Sequence, residues 1–462
     1  MRRRRKPTAG GHWQPILLFN FGLPQAVGLL SSRVDVKLCP MYAALCSRHF
    51  SSLLPLTGSA LEPSRVARAV SSFLVAPASE QASSLESLHA AAGATRAALT
   101  APLHSAVTFS TEALPFMRAV RARCASAGAS AWASDVDAAA LRATESLYSP
   151  SFTELVALTR EARAGSAVAA LRDAAAAAET VAAAHGDAFA YKFGARRVVY
   201  ALRHVAEPSE LLAVLYAALL ANPPRSFAEL DSMSGGVGGK SWALRDAAAV
   251  SPAPKTAVFY SVSSSAPVTR GLRLGTRIIY ALAGAIATAA PSIETFCTLS
   301  PIPNFCDYLS REAAMEASSN AAESPLSSAL RRAVGASANE RVVSNAASAV
   351  RAGARDPVSA QLCAAALEHY ILRARDARGH PACKVAAFHF ANGATLGRLC
   401  EAADESTMGR NRSGGWMASY VYSRNGAAGL QRTIEVAAAA YGNNPEVVRR
   451  GMPSPTVSWR ER

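Results

Sequence analysis

The chain has 462 residues, half of them hydrophobic and 18% charged, with eight cysteines and a formal net charge of +15. That length holds two or three domains with sizeable cores, and the composition excludes an intrinsically disordered chain. No apolar run reaches the roughly 18–20 residues that span a bilayer, so no membrane span is expected.

Residues 1–61 carry eight Lys/Arg against a single acid, Asp35, so about half of the net charge sits there. The remainder is only mildly basic for its size and shows no basic runs interleaved with aromatics, which argues against a nucleic-acid partner. An Arg- and Ser-rich, acid-poor start predicts an organelle-targeting segment, and Met41 begins a second candidate of the same kind, Met41-Tyr42-Ala43-Ala44-Leu45. A mitochondrial address is the expectation, with cytoplasmic and peroxisomal locations as alternatives. The terminal Arg460-Glu461-Arg462 is not a Ser-Lys-Leu signal. A disordered basic tail is the rival reading of the same residues.

Residues 62–192 read as a helical domain, rich in alanine, leucine and arginine and broken at Ser126–Gly128 and Tyr148–Ser151. Leu155, Val156, Leu158 and Ala162 recur at helical spacing. From about residue 195 the texture changes. Val198–Leu202, Leu211–Leu219 and Thr256–Val262 are short runs rich in β-branched and aromatic residues and predict strands. Gly275–Ala290 predicts a helix, and residues 312–375 a helical excursion. The fold class is therefore α+β, an all-helical domain followed by an α/β domain over 193–462. The cysteines are scattered, with no CxxC pair and no histidine at ligand spacing, which argues against a metal site or a disulfide framework.

Several motifs invite chemistry. Ser234-Gly235-Gly236-Val237-Gly238-Gly239-Lys240-Ser241 misses the first glycine of a P-loop and lacks a preceding buried strand, so it reads as a flexible loop. Asn411-Arg412-Ser413 is a glycosylation sequon that an organellar or cytosolic chain would not use. Arg270-Gly271-Leu272-Arg273-Leu274-Gly275-Thr276 joins a candidate strand to a candidate helix, where glycines and a helix start suit an anion, although many such junctions contain glycine. Ser300 lies between an apolar run and the stiffening Pro301 and Pro303. His389 sits in Phe388-His389-Phe390-Ala391-Asn392-Gly393-Ala394. A lone histidine in such a setting is more often structural than catalytic, yet its ordinary pKa of about 6.5 suits proton transfer near neutrality.

Taken together, four ordered segments resemble the malonyl-CoA decarboxylase family: Phe259-Tyr260-Ser261-Val262-Ser263, Leu299-Ser300-Pro301-Ile302-Pro303-Asn304-Phe305, Phe388–Ala394 and Ser413–Tyr422, with Gly275-Thr276 opening a helix between the first two. The resemblance implies a helical amino-terminal domain joined to an acetyltransferase-type, GNAT-like catalytic domain, in a homo-oligomer, often a tetramer. It implies turnover of malonyl-CoA to acetyl-CoA and CO2 with no metal, biotin or other cofactor. By the same resemblance Ser300 and His389 take the catalytic positions with Tyr422, Arg270 through Thr276 take the CoA-binding turn, and Ser263 and Asn392 line the pocket. Departures include Asn304 for a glycine, Arg273 where the family commonly has an acid, Trp416 and Ser419, and Cys400–Asp404. The rival functions are an acyl-CoA-binding acyltransferase, a decarboxylase of another acyl-CoA, and a non-enzymatic helical scaffold of an organelle.

Overall fold

The structure, a computed structural model, describes residues 63–422 apart from residues 94–95, 150–151, 160–165, 167–168, 170–191, 236–243, 245–251, 264–268, 319–323, 338–339, 354–355 and 378. The basic segment 1–61 and most of the glycine loop after Gly235 lie outside the described residues.

Five helices come first: α1 (Pro63–Val75), α2 (Ala78–Ala91), α3 (Arg96–Phe109), α4 (Ala113–Ser126) and α5 (Ala131–Thr144). Helix α1 buries Val66, Ala69, Val70 and Phe73, the i, i+3, i+4, i+7 stripe of an amphipathic helix. Phe73 meets Phe116 of α4 edge-on, ring centroids 5.1 Å apart. Helix α5 turns Ala133, Val136, Ala139, Ala140 and Ala143 inward, small side chains that let its neighbours approach closely. These residues form a core of their own.

The remainder is built on one mixed sheet of β1 (Thr153–Leu158), β2 (Arg197–His204), β3 (Glu207–Leu220), β4 (Thr256–Ser263), β5 (Thr295–Thr298), β6 (Ser300–Pro301), β7 (Thr395–Cys400) and β8 (Met417–Tyr422). The order is β1-β2-β3-β4-β5-β8, with β6 and β7 also paired to β8. Strand β1 corrects the helical expectation for Leu155, Val156 and Leu158. Over six residues both periods fit these positions, and antiparallel pairing with β2 from Thr153–His204 to Leu158–Val199 decides for a strand. Strand β3 is central, and Leu211–Leu220 is buried throughout, which explains its unbroken apolar run.

Every pairing is antiparallel except β4 with β5. The short α6 (Phe227–Met233) precedes β4, and the crossover that a parallel pair requires is supplied by α7 (Leu274–Ala289), which buries Leu274, Ile278, Ile279, Leu282, Ala283 and Ile286 against the sheet. The parallel ladder is short. Thr256–Phe259 pair with Thr295–Thr298, and the last link is Leu299 N to Phe259 O at 3.3 Å. Beyond it β4 runs on to Ser263, while Ser300 and Pro301 pair with Ala418 and Met417 of β8. The two strands part at this point, at their carboxyl ends, where open sheets place ligands.

Helices α8 (Phe305–Ser318), α9 (Pro325–Val334), α10 (Val342–Ala352) and α11 (Pro357–Leu372) form the expected excursion, beginning a few residues earlier than predicted. Their starts follow capping chemistry. Ser324 caps Ser327 N ahead of Pro325, and Asp356 caps Val358 N and Ser359 N ahead of Pro357. The short α12 (Lys384–Ala391) then leads into β7. The helical domain is tied to the sheet by the Arg118–Glu207 ion pair, by Arg118 Nε donating to the Tyr148 hydroxyl at 3.2 Å, and by His204 Nε2 on Leu147 O at 2.9 Å.

Candidate functional site

The site lies where β4 and β5 separate. Ser300 follows β5 with one irregular residue between, and its Oγ lies 3.0 Å from His389 Nε2. Nδ1 of the same ring lies 2.9 Å from the Tyr422 hydroxyl. Ser300 is thus joined to His389 and His389 to Tyr422, from three separate elements. All three are buried, Ser300 and His389 each to 6% exposure.

Local structure explains the placement. Helix α12 ends two residues after the histidine, with Asn392 N donating to the Phe388 and His389 carbonyls. Gly393, at φ +74°, lets the chain reverse into β7. Ala394 N donates to His389 O at 3.0 Å and closes the turn. His389 therefore stands on the last turn of a helix with its ring directed at the sheet. Pro303 is held by the Tyr370 hydroxyl, which donates to its carbonyl at 2.7 Å and fixes the loop that follows Ser300.

The surroundings set the chemistry. Tyr420 stacks on the imidazole with centroids 4.4 Å apart and planes at 21°, and Phe388 meets it edge-on at 5.2 Å. Among the described residues no carboxylate approaches the ring, and burial pushes its pKa down to about 3. His389 is therefore neutral near pH 7, so one ring nitrogen donates and the other accepts. Burial pushes the Tyr422 phenol well up, with Tyr280 adding to the effect and nearby Asn392 partly offsetting it. Tyr422 stays protonated.

Thr298, to which the motifs assigned no role, and Tyr420, which they offered only as the partner of Tyr422, complete the arrangement. Thr298 Oγ1 lies 2.9 Å from Ser300 Oγ and accepts from Tyr420 N at 3.0 Å, so it ties the serine to the strand opposite. Tyr420 covers the imidazole. Both were findable from strand periodicity, because Thr298 and Ser300, like Tyr420 and Tyr422, are two apart and share a face.

Thr276 and Asn392, two more of the expected site residues, meet beside His389. Thr276 Oγ1 donates to Asn392 Oδ1 at 2.9 Å, and the Tyr280 hydroxyl donates to Asn392 O at 3.1 Å. Among the described residues, neither the Asn392 Nδ2 nor the buried Ser263 Oγ at the end of β4 makes a hydrogen bond of ordinary geometry. Arg270, Gly271 and Arg273 lie exposed on the turn before α7, whereas Leu272 and Leu274 are buried and anchor it. What those two offer a ligand is main chain. The turn meets the histidine through one ring: a Cβ at Gly275 would sit 3.5 Å from Phe388 and 3.8 Å from Val262. Asn304 adopts φ +60°, so the departure from glycine is met by a residue that tolerates the left-handed region. Among the described residues no group of three or more His, Cys, Asp or Glu is placed to hold a metal.

Comparison with known proteins gives a consistent picture. Residues 195–451 match the family model described as the malonyl-CoA decarboxylase C-terminal domain, more than half of the chain. A mitochondrial malonyl-CoA decarboxylase from Anser anser anser is 28% identical over 250 residues, covering 50% of this chain and 45% of that protein. The chain thus matches a little under half the length of that curated relative. Among solved structures, malonyl-CoA decarboxylase from Cupriavidus metallidurans superposes with a TM-score of 0.60 at 20% identity, covering 86% of this chain and 96% of the other. That from Agrobacterium vitis gives 0.57 at 19% identity, covering 90% and 100%. At these identities the structural likeness establishes the fold, a helical amino-terminal region followed by a mixed-sheet domain.

Proposed function

Because this chain belongs to the malonyl-CoA decarboxylase family, we propose that it converts malonyl-CoA to acetyl-CoA and CO2, with Ser300, His389 and Tyr422 handling the proton. The observation that carries this reading is the buried contact of 3.0 Å between Ser300 Oγ and His389 Nε2 at the point where β4 and β5 part.

The chemistry needs little else. The bond between the malonyl carboxylate and the α-carbon breaks, and its electron pair passes into the thioester as an enolate. The thioester carbonyl is itself the electron sink, so no cofactor is required. One proton must then reach the α-carbon. Ser300 donates to the carboxylate or to the developing enolate oxygen, charge that preorganised donors stabilise best where water is excluded. His389 supplies the proton from Nε2, directly or through Ser300 Oγ, and Tyr422 at Nδ1 holds the ring in place. The resting imidazole is neutral with no anionic partner; the arriving malonyl carboxylate provides one, and its charge favours taking up the proton that the reaction consumes.

The turn Arg270–Thr276 binds the CoA portion. Packing does not demand glycine at 275, since a Cβ there would make only ordinary contacts. Close approach of a ligand to the backbone of this helix start does. In this reading Asn392, held by Thr276 and Tyr280, and Ser263 line the substrate pocket, and the Ser263 Oγ, which has no hydrogen-bond partner among the described residues, suits an amide or carbonyl of the pantetheine arm.

The acid-poor residues 1–61 and the mitochondrial relative support a mitochondrial address, tested by imaging a carboxy-terminal fluorescent fusion with and without residues 1–61. By the family's habit the protein is a homo-oligomer of tetramer size, which light scattering on the purified chain measures. The function is tested by incubating the purified full chain with malonyl-CoA and quantifying products. Equal amounts of acetyl-CoA and CO2 are expected. Tight CoA binding without either product would instead favour an acyltransferase or another acyl-CoA substrate.

A further inference from the structure

The turn proposed to bind CoA is held from outside its own domain. Arg121, on α4 of the helical domain, is nearly buried and grips Asp137 of α5 through Nε to Oδ1 at 2.8 Å and Nη2 to Oδ2 at 3.4 Å. The same Nη2 donates to the main-chain carbonyl of Arg270 at 2.7 Å. One helical turn on from Asp137, Leu141 of α5 packs on Gly271 so closely that a Cβ there would fall 2.9 Å from its methyl group. Two independent contacts from the helical domain therefore land on consecutive residues of the turn.

The turn needs such support. Gly271 adopts φ +90° and Arg273, which precedes the first residue of α7, adopts φ +53°. An arginine in the left-handed region persists only where its surroundings over-determine it. Leu272 and Leu274 fix the turn from below, and the Arg121 and Leu141 contacts fix it from above. The amides of Leu274, Gly275 and Thr276, which a helix start leaves without intrahelical acceptors, are thereby presented in one direction.

We propose that Arg121, braced by Asp137 and seconded by Leu141, is a positioning residue through which the helical domain sets the acyl-CoA-binding turn. This rests on the reading of Arg270–Thr276 as the CoA site. It also gives the helical domain a part in substrate affinity.

The test compares Arg121→Ala and Arg121→Lys with Arg118→Ala in the full-length protein. Arg118 joins the same helix to the sheet at Glu207 and also bonds Tyr148 ahead of β1, contacts that do not involve the turn, so its loss loosens the domain contact without freeing the turn. Three readouts are taken: amide hydrogen exchange across residues 269–276, CoA affinity by calorimetry, and steady-state kinetics with malonyl-CoA. Arg121→Ala should speed exchange in the turn, and should weaken CoA binding and raise KM by about tenfold with kcat within about twofold. Lysine at 121 should recover part of the affinity. Arg118→Ala should change none of the three. Equal effects of the two alanine variants, or unchanged exchange and affinity in Arg121→Ala, would overturn the proposal. Wild-type protein that neither binds CoA nor consumes malonyl-CoA would overturn the functional reading and with it the ligand role of Arg121. The exchange comparison would still decide whether the clamp holds the turn.

Discussion

At the scale of single residues, the site is governed by one buried, neutral histidine. Among the described residues His389 has no acidic neighbour, and its pKa of about 3 lies below the ordinary value of 6.5 because the charged form cannot be solvated. In the unfolded chain the same ring takes a proton near pH 6.5, so protonation favours unfolding. The stabilising difference is whole above about pH 6.5 and is lost as the pH falls towards 3, at roughly 1.4 kcal/mol per pH unit. Urea denaturation at pH 7.5 and pH 5 should therefore show a smaller loss of stability on acidification for His389→Gln than for the wild type. An equal loss in both would mean that the ring is not buried and neutral. Ser300 and His389 stood out as candidates because unusual motifs surround them. Their contact was not, since 89 residues separate them and only the sheet brings them together. The depressed pKa was hidden as well, because Tyr420 and Phe388 cover the ring only in the folded chain.

At the scale of elements, the decisive feature is a parallel strand pair that lasts four residues and then opens. Strands β2, β3 and β4 were readable as apolar runs, and α7 from its length and the glycine before it. Strand β1 was not, because six residues of mixed burial fit a helical stripe as well as a strand and only pairing with β2 separates the two. Nor could spacing show where β4 and β5 part, a matter of the register and of Ser300 leaving for β8. Gly275 follows the first residue of the helix that crosses from one strand to the other. Gly275→Ala should fold normally, its methyl making ordinary contact with Phe388 and Val262, with a melting temperature within a few degrees of wild type, since alanine is favoured over glycine inside a helix by about 1 kcal/mol. Its CoA affinity should fall by about tenfold or more as the methyl blocks the approach to the backbone. Unchanged affinity on calorimetry would remove the turn from the binding site.

At the scale of the whole molecule, a helical domain with its own core leans on a sheet whose two faces carry separate cores. The change of composition near residue 195, where the family match also begins, announced the apolar strands, but the sheet itself starts earlier, with β1 at Thr153. The contacts between the helical domain and the sheet were not legible, because arginines such as Arg118 and Arg121 look alike in a chain with so many of them. The cysteines were expected in the cores, and Cys124, Cys297, Cys363, Cys383 and Cys400 are buried there. Burial pushes the thiols of Cys124, Cys297 and Cys363 up to about 12. At pH 8 these three should resist a thiol-specific reagent in the native protein and react on denaturation. Mass spectrometry of the labelled peptides checks this, and rapid native labelling of Cys297 would mean that the sheet opens beside the site.

The most direct measurement of the central claim is the turnover of malonyl-CoA by wild-type protein and by His389→Gln, with CoA affinity measured in parallel. Glutamine keeps a polar side chain of similar reach and cannot pass on a proton. The kcat should fall by about 10²- to 10⁴-fold while CoA affinity stays within about threefold, because the turn proposed to bind CoA is separate from the ring. Near-normal turnover in His389→Gln would contradict it.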